Sequence, residues 1–261
     1  MPHRARQFLK RSGPLVAAVR VARKVPEQAS RTKHRFTDPR TIREYLAANE
    51  VRALQLGAGP NAIPGWLNTD ISPARTEIAY LDATRPFPLA DETFDYVFSE
   101  HQIEHIEARH ALPMLNECLR VLKPGGRLRI ATPDLAVVIG LYSETADPAT
   151  ARYLEYVIAL ARGVADSGRG RAAIEAITAI PAGRRAFVIN EVVRWYGHRF
   201  IYDEPTLTAL LEQVGFRGIE RRAVGESDEE PLRGLEAHAQ AAGDSEMNRF
   251  ETLVLEALRG T

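Results

Sequence analysis

Cysteine is the scarcest residue of the chain: Cys118 stands alone among 261 residues. A single thiol excludes an intrachain disulfide and leaves the cytoplasm as the default compartment. Cys118 lies in an amphipathic stretch with Leu115, Leu119 and Leu122, a pattern that reads as a buried helical thiol and not as a nucleophile. Long apolar runs are also missing. Nothing reaches the roughly 18 residues that a membrane-spanning helix needs, so a spanning segment is excluded. Net charge is absent too, because 34 Lys and Arg balance 34 Asp and Glu. With 45% hydrophobic and 26% charged residues, the composition is that of a globular protein, sized for one α/β domain with an elaboration.

The balance of charge conceals an asymmetry. Residues 1–35 hold ten Lys and Arg against Glu27 alone, and the rest of the chain carries the compensating acidic excess. The arm, taken as residues 1–36, also holds small apolar groups such as Phe8-Leu9 and Leu15 to Val19. It fits an amphipathic helix on an anionic membrane surface or an acidic partner, an organellar transit peptide, or a solvated tail. No nucleic-acid partner is expected, since the basic charge sits on a tail and the body is acidic.

The folded part, residues 37–261, opens with Asp38 as helix N-cap and Pro39 at the first helical position, followed by Ile42, Tyr45 and Leu46 on one face. Residues 51–56 read as a buried strand that breaks into Gly57-Ala58-Gly59. Glycines there allow a tight turn, and the following backbone offers free N–H groups to a ligand. Strands are expected at 66–71, ending in Asp70, at 78–81, ending before Asp82, and at 94–98. Only about ten residues part Gly59 from Asp70, with Pro60 and Pro64 among them, so a loop or single turn must replace the usual crossover helix. A helix over 108–121, a Lys123-Pro124-Gly125-Gly126 turn and a strand over 127–131 follow. Residues 135–196 predict two or three helices (135–142, 149–162, 184–195), interrupted by Gly163–Gly170. This insertion is expected to pack as a lid over the carboxyl edge of the sheet. Asp203 caps a helix that Gly215 ends, and 219–224 and 250–258 read as closing strands around an acidic loop at 226–244. The pattern predicts an α/β, doubly wound, mostly parallel seven-stranded sheet with a helical insertion after strand five.

Five segments carry a resemblance: Leu54-Gln-Leu-Gly-Ala-Gly-Pro-Asn61, Leu67-Asn-Thr-Asp70, Asp82-Ala83 leading into Pro86-Phe-Pro, Phe94-Asp-Tyr-Val-Phe-Ser99, and Leu119-Arg-Val-Leu-Lys-Pro-Gly-Gly-Arg-Leu128. Together they resemble the class I, Rossmann-like methyltransferases that depend on S-adenosyl-L-methionine. The segments Ser99-Glu-His-Gln-Ile-Glu-His-Ile106, Trp195-Tyr-Gly-His-Arg-Phe-Ile-Tyr-Asp203 and Leu232-Arg-Gly-Leu-Glu-Ala-His238 look like a bacterial subgroup of such enzymes with undefined substrates. The resemblance implies that Gly57, Ala58 and Gly59 lie against the methionine and ribose portions of the cofactor. It implies that Asp70, with Ile71 beside it, takes the ribose hydroxyls, that Asp82 and Ala83 take the adenine, and that Ser99 faces the sulfonium. Two positions depart from the family. Gln55 stands where an acidic residue is usual, and Asn61 replaces the third glycine. An amide still accepts a hydrogen bond from the cofactor's amino group, without the charge that makes such a bond about twice as strong.

Glu100-His101-Gln102-Ile103-Glu104-His105 holds the densest chemistry. Methyl transfer to oxygen or nitrogen needs alignment and removal of a proton from the acceptor. His101 is a candidate base that Glu100 could orient, and Glu104-His105 fixes the loop. His198, with Tyr196 and Tyr202, is a second candidate. The same residues spell His-x-x-Glu-His, a zinc-hydrolase motif when it lies on a helix; after a sheet strand it is read as coincidence, and no metal is expected. The leading expectation is a cytoplasmic methyltransferase for a small-molecule or glycan-like acceptor, with oxygen preferred because no Asn-Pro-Pro-Tyr-type segment follows strand four. A non-catalytic cofactor-binding scaffold docked through the arm is the alternative.

Overall fold

Tyr45 shows how the sheet is started. Its hydroxyl donates to the Ala53 carbonyl at 3.0 Å and accepts the Ala53 N–H at 2.8 Å, so helix α1 (Pro39–Ala48) is sewn to the first residue of strand β1 (Ala53–Leu56). The computed structural model describes residues 39–73, 75–143, 147–165, 168–194, 197–236 and 245–261. The basic arm, the Asp38 cap, Tyr196 and residues 237–244 of the acidic loop lie outside them. The chain divides into two units: a sheet unit within 26–133, 199–237 and 252–261, and a helical unit within 1–25, 134–198 and 238–251.

In the sheet unit, β1 is followed by β2 (Leu67–Asp70), β3 (Ala79–Tyr80), β4 (Phe94–Glu100), helix α2 (Ala111–Val121) and β5 (Leu122–Pro133). No helix links β1 to β2, as the prolines require. Instead the Asn68 side chain holds the connecting loop, accepting from Ile63 N at 2.7 Å and donating to the Ile63 and Trp66 carbonyls, each at 3.0 Å. The strand order is β3-β2-β1-β4-β5-β7-β6, where β6 is Phe216–Arg222 and β7 is Thr252–Arg259. Neighbours pair parallel except at β7, which runs against both β5 and β6. Leu54 faces Leu67 on one side and Val97 on the other, and Leu56 faces Thr69 and Ser99. All four β1 residues are buried, the polar Gln55 among them, as expected of a strand covered on both faces. The order reverses between β1 and β4, so the ends of these strands open the crevice where such sheets bind ligands.

Lys123-Pro124-Gly125-Gly126 is not a turn ahead of β5 but a bulge inside it. Phe94 pairs with Leu122 and Tyr96 with Arg127, so four residues loop out opposite Asp95. Gly125 takes φ +78°, and a Cβ on Gly126 would lie 2.9 Å from the Lys123 carbonyl and 3.0 Å from that of Asp95. Lys123 Nζ closes the bulge on both Asp95 oxygens at 2.8 Å. β6 begins three residues earlier than its apolar pattern predicts, because Gly215 (φ +119°) ends helix α7 (Glu204–Val214) and delivers Phe216 straight into the ladder. That helix starts where expected, with the Asp203 carboxylate accepting from Thr206 N at 2.9 Å.

The helical unit contains α3 (Leu135–Gly140), α4 (Pro148–Val164), α5 (Gly168–Thr178), α6 (Pro181–Arg194) and α8 (Ser245–Glu251). Its apolar interior comes from Tyr153, Leu154, Val157, Ile158 and Ala161 of α4 with Val188 and Val192 of α6. Two expectations need correction. The Gly163–Gly170 interruption gives way to α5, because Gly168 and Gly170 fall in a first turn, where glycine does not break a helix. Residues 250–251 close α8 instead of opening β7. No helix among the described residues is long and apolar enough to cross a membrane.

Candidate active site

The turn after β1 is built as the glycines dictate. Gly57 and Gly59 sit at φ +69° and +51°, where side chains with a Cβ are strained. Their surroundings differ. A Cβ on Gly57 would meet Gln102 Cγ at 2.5 Å, whereas one on Gly59 would meet nothing within 4 Å. Gly57 is thus packed under the segment that follows β4, and Gly59 faces open space. Ala58 N donates to the Thr69 carbonyl at 2.9 Å and Asn61 N to the Ala58 carbonyl at 2.8 Å, pinning the turn to β2. The Asp70 carboxylate, at the tip of β2, accepts from Gly59 N at 2.9 Å and from Ser72 N at 2.7 Å. One lone pair on each oxygen remains for a ligand. Ile71 follows with its apolar side chain 40% exposed.

Gln55 is buried, and its Nε2 donates to the Asn61 carbonyl at 3.2 Å. Its Oε1 is equally buried and has no hydrogen-bond partner among the described residues. An orphan acceptor of this kind beside an open glycine is a seat for a donor such as an ammonium. Asn61 contributes only its backbone to these bonds. Asp82 is engaged locally: Oδ1 accepts from Thr84 N at 3.0 Å and Thr84 Oγ1 at 2.6 Å, and Oδ2 lies 3.3 Å from Arg85 Nε. Ala83, next to it, is buried in the core.

At the tip of β4, Ser99 is fully buried and its hydroxyl donates to Gln102 Oε1 at 3.3 Å. His101 then adopts φ +46°, a left-handed conformation rare for a non-glycine residue, and its N–H donates to the Ala131 carbonyl at 2.9 Å. Such conformations cost about 1–3 kcal/mol and persist where the surroundings over-determine them, commonly at active sites. The reversal leads into a single 3₁₀ turn, Ile103–His105, which carries Glu104 back beneath the imidazole. His101 Nδ1 lies 3.1 Å from Glu104 Oε1, with the two side chains 8% and 0% exposed. Glu104 Oε2 accepts from Thr132 Oγ1 at 3.1 Å, and the Glu104 carbonyl accepts from Arg199 N and Phe200 N. Burial and the Glu104 charge push the Tyr202 phenol up to about 12, so it stays a donor through neutral pH. Its hydroxyl has no partner among the described residues.

Glu104, three residues on from His101, stands within 3.1 Å of its imidazole as a second carboxylate beside the expected Glu100. Glu100 ends the β4 ladder opposite Ala131, and the chain reversal at His101 swings the imidazole toward the residue three positions on. The same reversal removes the helix that a His-x-x-Glu-His zinc site needs, since His101 and His105 share no helical face. His198 belongs to the helical unit, where its Nδ1 donates to the Val192 carbonyl at 2.7 Å. Thr132 was invisible to sequence reasoning. Its only signal is that it lies one residue past Ala131, the partner of Glu100 in the ladder.

Residues 54–130 match the family model of a methyltransferase domain. No curated protein matches the sequence. Among solved structures, the chain is similar to a SAM-dependent methyltransferase of Thermotoga maritima, at 17% identity over 87% of this chain and 91% of that one, with a TM-score of 0.43. An Archaeoglobus fulgidus SAM-dependent methyltransferase gives 16% identity, 84% and 91% coverage and 0.42. Phosphoethanolamine N-methyltransferase 2 of Haemonchus contortus, solved with S-adenosyl-L-methionine, gives 15%, 81% and 49%, and 0.40. Likenesses this distant carry no argument about an acceptor.

Proposed function

We propose that this chain, whose residues 54–130 match the model of a methyltransferase domain, is a class I methyltransferase dependent on S-adenosyl-L-methionine that methylates an oxygen of a small-molecule or glycan-like acceptor, with His101 as general base. The carrying observation is His101 itself: a strained, nearly buried imidazole at the switch point of the sheet, braced on a carboxylate. When bound, the cofactor supplies a methyl carbon already activated by its sulfonium. The chain's own groups then position and deprotonate. Gln55 Oε1 is available to the amino group, the free lone pairs of Asp70 to the ribose hydroxyls, and the Gly59 turn lets the backbone approach. Ile71 would offer an apolar face to the adenine, with Asp82 and Ala83 on the same side, and Ser99 would face the sulfonium. His101 Nε2 accepts the acceptor's proton: the O–H bond breaks, its electron pair stays on oxygen, and the N–H bond forms.

Calorimetry with S-adenosylmethionine and S-adenosylhomocysteine tests the cofactor seat. Asp70→Ala is expected to weaken binding more than tenfold, about 1.4 kcal/mol, because it removes the ribose acceptor and the anchor of Gly59 N together. Binding that survives Asp70→Ala unchanged would displace Asp70 from the site. In an acceptor screen, His101→Ala should lower kcat about a hundredfold with KM little changed. Turnover that ignores His101→Ala would remove His101 as base, and cofactor binding with no turnover on any acceptor would favour the scaffold. Deleting residues 1–35 separates docking from chemistry: the proposal has the arm dock on an anionic surface or acidic partner, leaving turnover of a soluble acceptor intact.

A further inference from the structure

We infer that Glu104 is the positioning residue of the site, holding the proton on His101 Nδ1 so that Nε2 is the bare, basic nitrogen. The inference rests on the reading of His101 as base. A fully buried carboxylate is costly unless its oxygens are occupied, and both are: Oε1 by His101 Nδ1 and Oε2 by Thr132 Oγ1, each at 3.1 Å. A carboxylate can only accept, so the imidazole must donate from Nδ1. The tautomer is then set by the bond that the far nitrogen makes.

Glu104 is itself hard to move. Its carbonyl accepts from Arg199 N at 2.7 Å and from Phe200 N at 3.2 Å, so the segment entering α7 is tied to it. Thr132 anchors it to the end of β5, next to Ala131, whose carbonyl receives the His101 N–H. The His101 backbone and the Glu104 carboxylate are thus fixed to two adjacent residues of one strand, Ala131 and Thr132. When Nε2 takes a proton, the imidazolium forms beside a carboxylate already in place, with no reorganisation at the moment of reaction.

The test is the tautomer of His101, which needs no acceptor. In the full chain labelled with ¹⁵N-histidine, long-range proton–nitrogen spectra identify His101 by the signals that disappear in His101→Gln. Neutral His101 is expected mainly as the Nδ1–H form. Glu104→Leu should move it toward the Nε2–H form that free imidazole prefers, while S-adenosylhomocysteine affinity stays within twofold of wild type. If Glu104→Leu does not fold, Glu104→Gln takes its place, and a changed pair of His101 nitrogen shifts is expected there too. A wild-type His101 in the Nε2–H form overturns the inference, as does a tautomer ratio unmoved in a folded Glu104 variant. Failure of the parent reading shows elsewhere, as absent cofactor binding or turnover indifferent to His101→Ala.

Discussion

Arg129→Met is expected to cost the fold about 3–5 kcal/mol, read as a lowered urea midpoint. Arg129 lies in the middle of β5 with none of its side chain exposed. Its Nε donates to Glu236 Oε1 at 2.6 Å, and its Nη1 to Glu256 Oε1 at 2.6 Å and to the Glu226 carbonyl at 2.8 Å. Glu236 in turn accepts from Gly225 N at 2.8 Å, so one guanidinium ties residues 225–236 to the sheet. Methionine matches the volume and removes the charge. It strands two carboxylates whose side chains are 0% and 2% exposed, and Arg222 Nε, 3.5 Å from Glu256 Oε2, is too distant to replace the lost bond. Breaking one partner of a buried ion cluster is far costlier than replacing all of it. The triple change Arg129→Met, Glu236→Leu, Glu256→Leu should therefore recover most of the loss. A single-variant loss under about 1 kcal/mol, or a triple variant as unstable as the single one, would show that the cluster is not what fixes the segment.

That cluster also marks where sequence reading stops. Arg129 is separated from its two carboxylates by 107 and 127 positions, and no local pattern pairs residues at such range. Where both signals of an element are local, reading succeeds: Asp203 and Gly215 bound α7 because a cap and a left-handed stop act within one turn. The glycine turn and Asp70 were legible for the same reason, since strand, turn and strand follow one another within twenty residues. His101 was legible as a candidate base, and the carboxylate beside its imidazole was not. Spacing alone pairs His101 with its neighbour Glu100, and the left-handed backbone at His101, held by a carbonyl of β5, brings Glu104 instead. The Lys123–Gly126 bulge was misread because two glycines after a proline spell a turn, whether the ladder ends there or merely bends around it.

Gly57→Ala should abolish measurable S-adenosylhomocysteine binding and remove about 2–5 kcal/mol of stability, whereas Gly59→Ala should impair binding with a far smaller effect on the fold. Both residues adopt left-handed backbone, so each alanine carries about 1–2 kcal/mol of backbone strain. Only at Gly57 does the new methyl collide with protein, 2.5 Å from Gln102 Cγ and 2.8 Å from Gln102 Cβ. Overpacking of that kind costs about 1–3 kcal/mol more, and it pushes on the residue that follows His101. Adding Gln102→Ala removes the nearer collision, so the double variant should regain part of the stability while keeping the backbone strain. At Gly59 the added Cβ meets no protein atom within 4 Å, so under the proposed seat a loss of binding there is assigned to the cofactor's own approach. The two variants therefore separate a glycine that the fold requires from one that the ligand requires. Gly59→Ala with binding intact would place the cofactor away from this turn, and Gly57→Ala as stable as wild type would mean that Gln102 yields freely and does not brace the site.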